Sequence, residues 1–350
     1  MTEILSLSQA ELESVIVAGG FPKFRAKQMI DYIYQRHITD FEEMLQLPKA
    51  MRDWLASECT LTLPTVLKEQ VSPRGDTRKL LLQLTDGSEI ESVLMQQHYG
   101  LSLCVSSQVG CAMGCAFCAS TREGLFRNLK PEEVVAQALL FERLVGEKIH
   151  SVVVMGAGEP MQNYDSIVKA LQLLHEPNYF NIGYRRMTVS TCGIPKEMKA
   201  LAEEGMPFTL ALSLHAPNDA IRQKIMPISK QYTLEEVLDA AAYYVDKTGR
   251  RLTFEYILID GLNSSEKDAR ELAALLRNFP TCNINLIPVN GNEHINMRKP
   301  SPQDCQKFVQ ILEQRGYTVS IRKEMGDAIQ AACGQLKVAY KKNQASDHKE

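Results

Sequence analysis

Between residues 130 and 323 the chain switches between helical and strand periodicity six times, and no other feature limits its fold as tightly. The amphipathic stretches PEEVVAQALLFERLVGE, YDSIVKALQLLHE, PKEMKALAEEG, LEEVLDAAAYYVDKTG, EKDARELAALLRNF and PQDCQKFVQILEQRG are each followed by a short apolar run: SVVVMG, RMTVSTC, FTLALSLH, RLTFEYILI, NINLIPV and TVSIRK. Pro131 with acidic residues behind it marks a helix start. Strands joined through helices run parallel, with right-handed crossovers. The region is therefore expected to be an α/β unit, an open or closed β/α barrel, with ligands gathered where its strands run out into loops.

The upstream part follows other rules. Residues 8 to 57 read as short helices: SQAELESVIVAGG stops at a glycine pair, KFRAKQMIDYIYQRH follows, and FEEMLQLPKAMRDWLAS is broken by Pro48. From about 65 to 96 the chain alternates and turns at Arg74-Gly75-Asp76 and Asp86-Gly87, as hairpins do. The expected division is a helical accessory domain at 1–60, a β-hairpin extension at 61–97, the barrel core at 98–340 and a polar tail at 341–350. With 45% hydrophobic and 23% charged residues in 350, there is ample material for a core. No stretch reaches the roughly 20 apolar residues of a membrane span, and MTEILSLSQAELESV lacks the basic-then-apolar order of a secretory leader, so a cytoplasmic protein without membrane contact is expected. A net charge of −3 gives no global sign of a nucleic-acid partner. The run FPKFRAKQMIDYIYQRHI is locally basic through Lys23, Arg25, Lys27 and Arg36; taken alone it is an amphipathic helix with a solvated face.

Four of the nine cysteines crowd into CVSSQVGCAMGCAFCAS, residues 104 to 120. A reducing compartment argues against a disulfide framework. Cys111, Cys115 and Cys118 form C-x3-C-x2-C on one loop ahead of the first helix of the alternating region. A zinc site normally closes with four ligands in two separated pairs, and the second pair is missing. Three thiolates on one loop suit a 4Fe-4S cluster whose fourth iron keeps an open position. Cys59, Cys192, Cys282 and Cys305 fit no ligand role and are expected to be packing or surface residues, with Cys192 beside the cofactor loop.

This spacing, with Phe117 immediately before the third cysteine, resembles the radical S-adenosylmethionine (SAM) superfamily. MGAGEP, at the end of the first strand after the loop, is similar to that superfamily's glycine-rich loop, in which Glu159 and Pro160 hold the methionine amino group of the cofactor. The strand ends VSTCG, LSLHAPN and IPVNG then supply Ser190, Ser213, Leu214, His215 and Asn290 for the ribose, carboxylate and adenine of S-adenosylmethionine. A closer resemblance lies in CVSSQVGCxxxCxFC, FRNL, MTVSTCG, LALSLHAPN, MPI, TFEYILI, INLIPVN and AACGQL, which are similar to the RlmN branch of the RlmN/Cfr RNA adenine methyltransferases over roughly residues 20 to 340.

That resemblance implies a partial (β/α)6 radical SAM barrel with an N-terminal RNA-binding helical domain and a short β extension. It implies that Cys333 accepts a methyl group from one S-adenosylmethionine, that a second is cleaved to a 5′-deoxyadenosyl radical which activates this methyl, and that the resulting carbon adds to adenine. Glu91 matches the family's base and Cys104 its resolving thiol, which forms a transient disulfide with Cys333. The implied partners are 23S rRNA and tRNA, methylated at carbon 2 of one adenosine in each, and an electron donor such as flavodoxin, with the enzyme a monomer. Val109, where Cfr-like sequences tend to have cysteine, favours carbon 2 over the Cfr-like carbon 8. Two departures stand out: Ala328 replaces a usual acidic residue, and the segment after Asn290 lacks a proline-rich loop. The rival from another class is a non-catalytic, zinc-stabilised RNA-binding protein.

Overall fold

The computed structural model describes residues 1–290, 297–322, 326–331 and 334–335. The first sixty residues form a helical module closed by one short pairing. Strand β1 (Thr2–Glu3) leads to α1 (Gln9–Ala18), α2 (Arg25–Ile30) and α3 (Lys49–Glu58), and β2 (Cys59–Thr60) returns to lie parallel to β1. Helix α1 starts in a capping box, with the Ser8 hydroxyl accepting from the Glu11 amide and the Glu11 carboxylate accepting from the Ser8 amide. Pro48 ends the run before it: residues 41–43 make a single helical turn, and α3 begins only after the proline. Two of the basic residues in this module are committed locally, Lys23 to Glu13 at 3.0 Å and Arg36 to Asp31 at 2.7 Å.

Ten of the remaining strands build one sheet. In chain order the remaining elements are β3 (Thr65–Val71), β4 (Thr77–Gln83), β5 (Glu89–Gln97), β6 (Gly100–Val105), β7 (Gln108–Gly110), β8 (Leu125–Asn128), α4 (Pro131–Val145), β9 (Ser151–Val154), α5 (Tyr164–His175), β10 (Met187–Thr191), α6 (Pro195–Glu203), β11 (Thr209–Ser213), α7 (Asp219–Ile225), α8 (Leu234–Thr248), β12 (Thr253–Leu258), α9 (Glu266–Leu275), β13 (Asn283–Pro288), α10 (Pro302–Glu313) and β14 (Thr318–Ile321). The spatial order is β14-β13-β12-β11-β10-β9-β6-β5-β4-β3, while β7 and β8 pair apart as a ribbon. All six expected helix-and-strand repeats are present. The sheet does not close, so the barrel is partial.

Strand β6 joins the two halves. It pairs antiparallel with β5 on one side and parallel with β9 on the other, through Ser102 to Val105 against Ser151 to Val154. The connection from β6 to β9 is a parallel crossover that carries the cysteine loop and α4. The loop therefore leaves the end of a parallel strand, where β/α barrels assemble their sites.

The hydrophobic core is continuous from the helical module into the barrel: Leu5, Ile16, Met29 and Tyr34 share it with Leu139, Phe141 and Leu174. Tyr34 stacks on Tyr179 with ring centroids 4.2 Å apart, and the Tyr179 hydroxyl donates to the Leu7 carbonyl at 3.0 Å. Among the described residues no helix is long and apolar enough to cross a membrane.

Candidate functional site

Two loops are laced together at the mouth of the partial barrel. Beyond β6, the amides of Ser107 and Gln108 both donate to the Ala157 carbonyl, at 2.8 and 3.1 Å, and the Ala157 amide donates to the Ser106 hydroxyl at 3.0 Å. The Glu159 amide donates to the Gln108 side-chain oxygen at 2.8 Å. The glycines of MGAGEP are thus demanded by the neighbouring strand as well as by any ligand. At Gly158, φ is +112°, and a Cβ would lie 2.5 Å from the Ser107 hydroxyl. The cysteine loop is held in turn by Gly110, whose φ of +78° and whose Cβ position 2.0 Å from the Gly124 carbonyl admit no side chain. Buried Gln137 of α4 fixes the start of this loop, accepting from the Ser106 amide at 2.9 Å and donating to the Ser106 carbonyl at 3.1 Å.

A cavity of about 150 Å³ opens between these loops and the strand ends. Cys111, Cys115 and Cys118 line one wall; Glu159, Pro160, Ser190, Ser213 and His215 line the others. Eight residues picked from sequence thus face one space. Leu214 is fully buried behind it, and its main chain is used structurally: the amide donates to Glu255 and the carbonyl accepts from Arg222 at 3.1 Å. Asn290 is half-buried and is not part of the lining.

Burial pushes the Cys111 thiol up to about 12 and Cys115 higher still, so these sulfurs ionise readily only against a bound cation. Among the described residues, no three His, Cys, Asp or Glu side chains converge where one metal ion would sit. Three thiols on one loop lack the fourth ligand of a zinc knot; they fit a cluster whose separate irons each take one thiolate.

Opposite them, the Glu159 carboxylate accepts from the amides of Cys192 and Met161, at 2.8 and 3.0 Å, and burial raises its proton affinity. Side-chain hydrogen bonds from Thr191 and Cys192 also favour its charged form. His215, at φ +59°, accepts from the Ile257 amide through Nδ1 at 3.0 Å. Burial and then the Arg222 charge lower its pKa to about 3. The ring is neutral, with its proton on Nε2 as a donor. Ser190 and Ser213 bring their hydroxyl oxygens to 3.4 Å from one another.

Glu91 and Cys104 lie on the sheet face next to this cavity. In register, Val93 of β5 opposes Cys104 of β6, and Cys104 packs with Val93 and Ala331 in a small apolar cluster. Cys333 is outside the described residues, as is Ala332, and the described residues next to them along the chain are Ala331 and Gly334. Ala331 meets Cys104, while Gly334 lines the cavity and its carbonyl accepts from the Ala119 amide at 2.8 Å. Glu91 is 5% exposed and pairs with buried Lys79 at 3.3 Å. Ala328 is exposed, and residues 291–296, which hold most of the altered loop after Asn290, are outside the described residues.

Several residues of the site went unnoticed in the sequence. Arg222 is wholly buried and donates to the carbonyls of Cys192 (2.5 Å), Ser213 (3.2 Å) and Leu214 (3.1 Å), tying together the ends of β10 and β11. Glu255 lines the cavity, held by Asn285 at 2.8 Å. Cys192, expected beside the cofactor loop but without a ligand role, lines it as well, with its sulfur 3.2 Å from that of Met113. Lys79 had a legible signal: the Asp86-Gly87 turn sets Leu81 opposite Glu91 and Lys79 opposite Val93, which makes Lys79 and Glu91 diagonal neighbours of opposite charge.

A partial β/α barrel with C-x3-C-x2-C on the loop after its first parallel strand is the architecture of the radical SAM superfamily, whose family model matches residues 105–273. Residues 2–61 match the ribosomal RNA large subunit methyltransferase N-terminal domain. The chain is 48% identical to the probable dual-specificity RNA methyltransferase RlmN of Symbiobacterium thermophilum, over 95% of this chain and 90% of that one. It is 46% identical to the protein of the same name from Desulforamulus reducens, over 95% of each. A crystal structure of a radical SAM methyltransferase from Sphaerobacter thermophilus superposes with a TM-score of 0.92 at 42% identity, covering 96% of this chain and 99% of that one. The chain belongs to the RlmN family of radical SAM methyltransferases.

Proposed function

We propose that this enzyme methylates carbon 2 of adenosine in RNA, acting on one position of 23S rRNA and on the adenosine beside the anticodon of certain tRNAs. The observation that carries this reading is the convergence of three elements on one cavity: the three-thiol loop, the polar strand ends, and Gly334 of the AACGQL segment. Cys104 lies against Ala331, on the other side of Cys333 in the chain.

Cys111, Cys115 and Cys118 are the residues that would hold a 4Fe-4S cluster, and Glu159, Pro160, Ser190, Ser213 and His215 those that would hold S-adenosylmethionine, with Leu214 supplying backbone support; Asn290, outside the lining, is assigned no contact. Bound there, cluster and cofactor supply a methyl group and a 5′-deoxyadenosyl radical. The chain's own groups do the rest. Glu159 takes the cofactor's ammonium, and neutral His215 donates from Nε2. Cys333, as a thiolate, accepts the methyl group and later carries its carbon to the adenine ring. Glu91 removes the ring proton. Cys104 then attacks the sulfur of Cys333, which releases methylated RNA and leaves a disulfide between them for reduction by the cell. A stacked base must be extruded to reach such a cavity. The reductant for the radical step is a low-potential carrier of the flavodoxin type, and the enzyme works as a cytoplasmic monomer.

Mass spectrometry of rRNA and tRNA nucleosides from cells with and without the gene tests this: 2-methyladenosine should disappear with the gene, and loss of 8-methyladenosine alone overturns the choice of carbon. The route is tested by Cys104→Ala, which should accumulate protein crosslinked to RNA because the adduct forms and is not resolved.

A further inference from the structure

The inner face of the sheet buries a lysine that the chemistry above does not use. Lys79 sits in the middle of β4 with 2% of its side chain exposed. Its ammonium lies 3.3 Å from the Glu91 carboxylate and donates to the Gln330 carbonyl at 3.1 Å. Burying an ammonium strips it of hydration, a cost that an apolar side chain at the same place would not incur. The register shows what surrounds this charge. Lys79 opposes Val93, Val93 opposes Cys104, and Cys104 packs on Ala331. Farther along β4, the Thr77 methyl group meets the backbone turn at Gly326, where an added Cβ would come within 2.9 Å of it. Ammonium, carboxylate, resolving thiol and the chain leading to Cys333 thus share one patch of one sheet face.

We propose that Lys79 is a positioning residue for product release: it aims the Glu91 carboxylate and anchors the main chain at Gln330, so that the base and the methyl-bearing segment present one fixed geometry to the adenine. This rests on the reading of Glu91 as the base. In the step served, the proton on ring carbon 2 passes to a Glu91 oxygen and the electron pair of the C–H bond stays with the RNA adduct. Lys79 touches neither and exchanges no proton. Without the ammonium, the buried carboxylate loses a charged partner and the Gln330 carbonyl loses its donor from β4.

The test uses the reconstituted holoenzyme with RNA carrying hydrogen or deuterium at carbon 2 of the target adenosine. Lys79→Met should still acquire a methyl group on Cys333 from S-adenosylmethionine alone, seen by intact mass, and still produce 5′-deoxyadenosine. Its release of methylated RNA should fall about ten- to a hundredfold, within the range a well-placed general base contributes. The deuterium effect on release should grow, and Lys79→Arg should recover most of the rate. Normal release by Lys79→Met with an unchanged deuterium effect overturns the proposal. So does a parallel loss of cluster content, Cys333 methylation and release in both variants, which marks Lys79 as structural only. Glu91→Gln separates the two readings: full activity in that variant sinks the role of Glu91 itself, whereas impaired Glu91→Gln beside normal Lys79→Met sinks only the role of Lys79.

Discussion

His215 shows what a single residue gains from its place at a strand end. Held neutral by burial, with Nδ1 occupied by the Ile257 amide, it titrates at about 3 in the folded protein, against an ordinary value near 6.5. Below pH 6.5 the unfolded chain therefore binds a proton that the folded chain does not, and stability is lost as pH falls through that value toward 3. Above it the residue contributes no pH dependence. Between pH 6.5 and 5.5 the loss amounts to about 1 kcal/mol. Denaturant midpoints of the anaerobic protein at the two pH values should show it, and His215→Asn should remove that share of the slope; equal losses in both proteins would mean that His215 titrates normally. Cysteine, serine, histidine and glutamate at strand ends were legible because residue type and position already imply their chemistry. Arg222 and Glu255 were not, because each owes its importance to burial and to a partner far away in sequence, while Lys79 could have been read from the hairpin register that sets it diagonal to Glu91. Leu214 contributes through its main chain, which residue type does not report.

At the scale of elements, periodicity exposed the six helix-and-strand repeats of the alternating region but hid the short pieces. Strands β1 and β2 are two residues each, and β7 and β8 are separated by the cysteine loop, so no local alternation marks any of them. Helix α7, inserted between β11 and α8, was also unforeseen. It starts at Asn218, whose side-chain oxygen accepts from the Ile221 amide at 3.0 Å, and its carbonyl at Ile225 accepts from Ala116 of the cysteine loop at 2.9 Å. The short helix serves to deliver Arg222 beneath the strand ends. Replacing Arg222 by Met leaves three carbonyls without their donor and should cost about 3 kcal/mol or more. Arg222→Lys should recover little, because one ammonium does not reproduce the planar fork that spans β10 and β11. Thermal unfolding of the two variants measures this directly, and a Lys variant as stable as the parent protein would show that charge alone suffices there.

For the whole molecule, the question is whether the helical module and the barrel unfold as one body. Sequence separates them at about residue 60, where helices give way to hairpins, yet the core runs through both. The contacts between them are also polar: Lys148 donates to the Tyr34 carbonyl at 2.7 Å, and Gln35 donates to the Asn178 carbonyl at 3.2 Å. Cooperative units follow shared burial rather than sequence boundaries. The single tryptophan, Trp54 in α3, reports on the module alone, whereas far-UV circular dichroism is dominated by the barrel. We expect the two signals to change in one coincident transition. Tyr34 sharpens the test. Its ring is buried against Tyr179 while its hydroxyl is buried without a hydrogen-bond partner among the described residues. Tyr34→Phe should be neutral or stabilising by up to about 1 kcal/mol. Tyr34→Ala opens a cavity at the junction and should cost about 3 kcal/mol or more. If the two bodies are coupled, that loss shifts both signals together; if Trp54 fluorescence alone moves to lower temperature, the module is an independent domain that merely rests on the barrel.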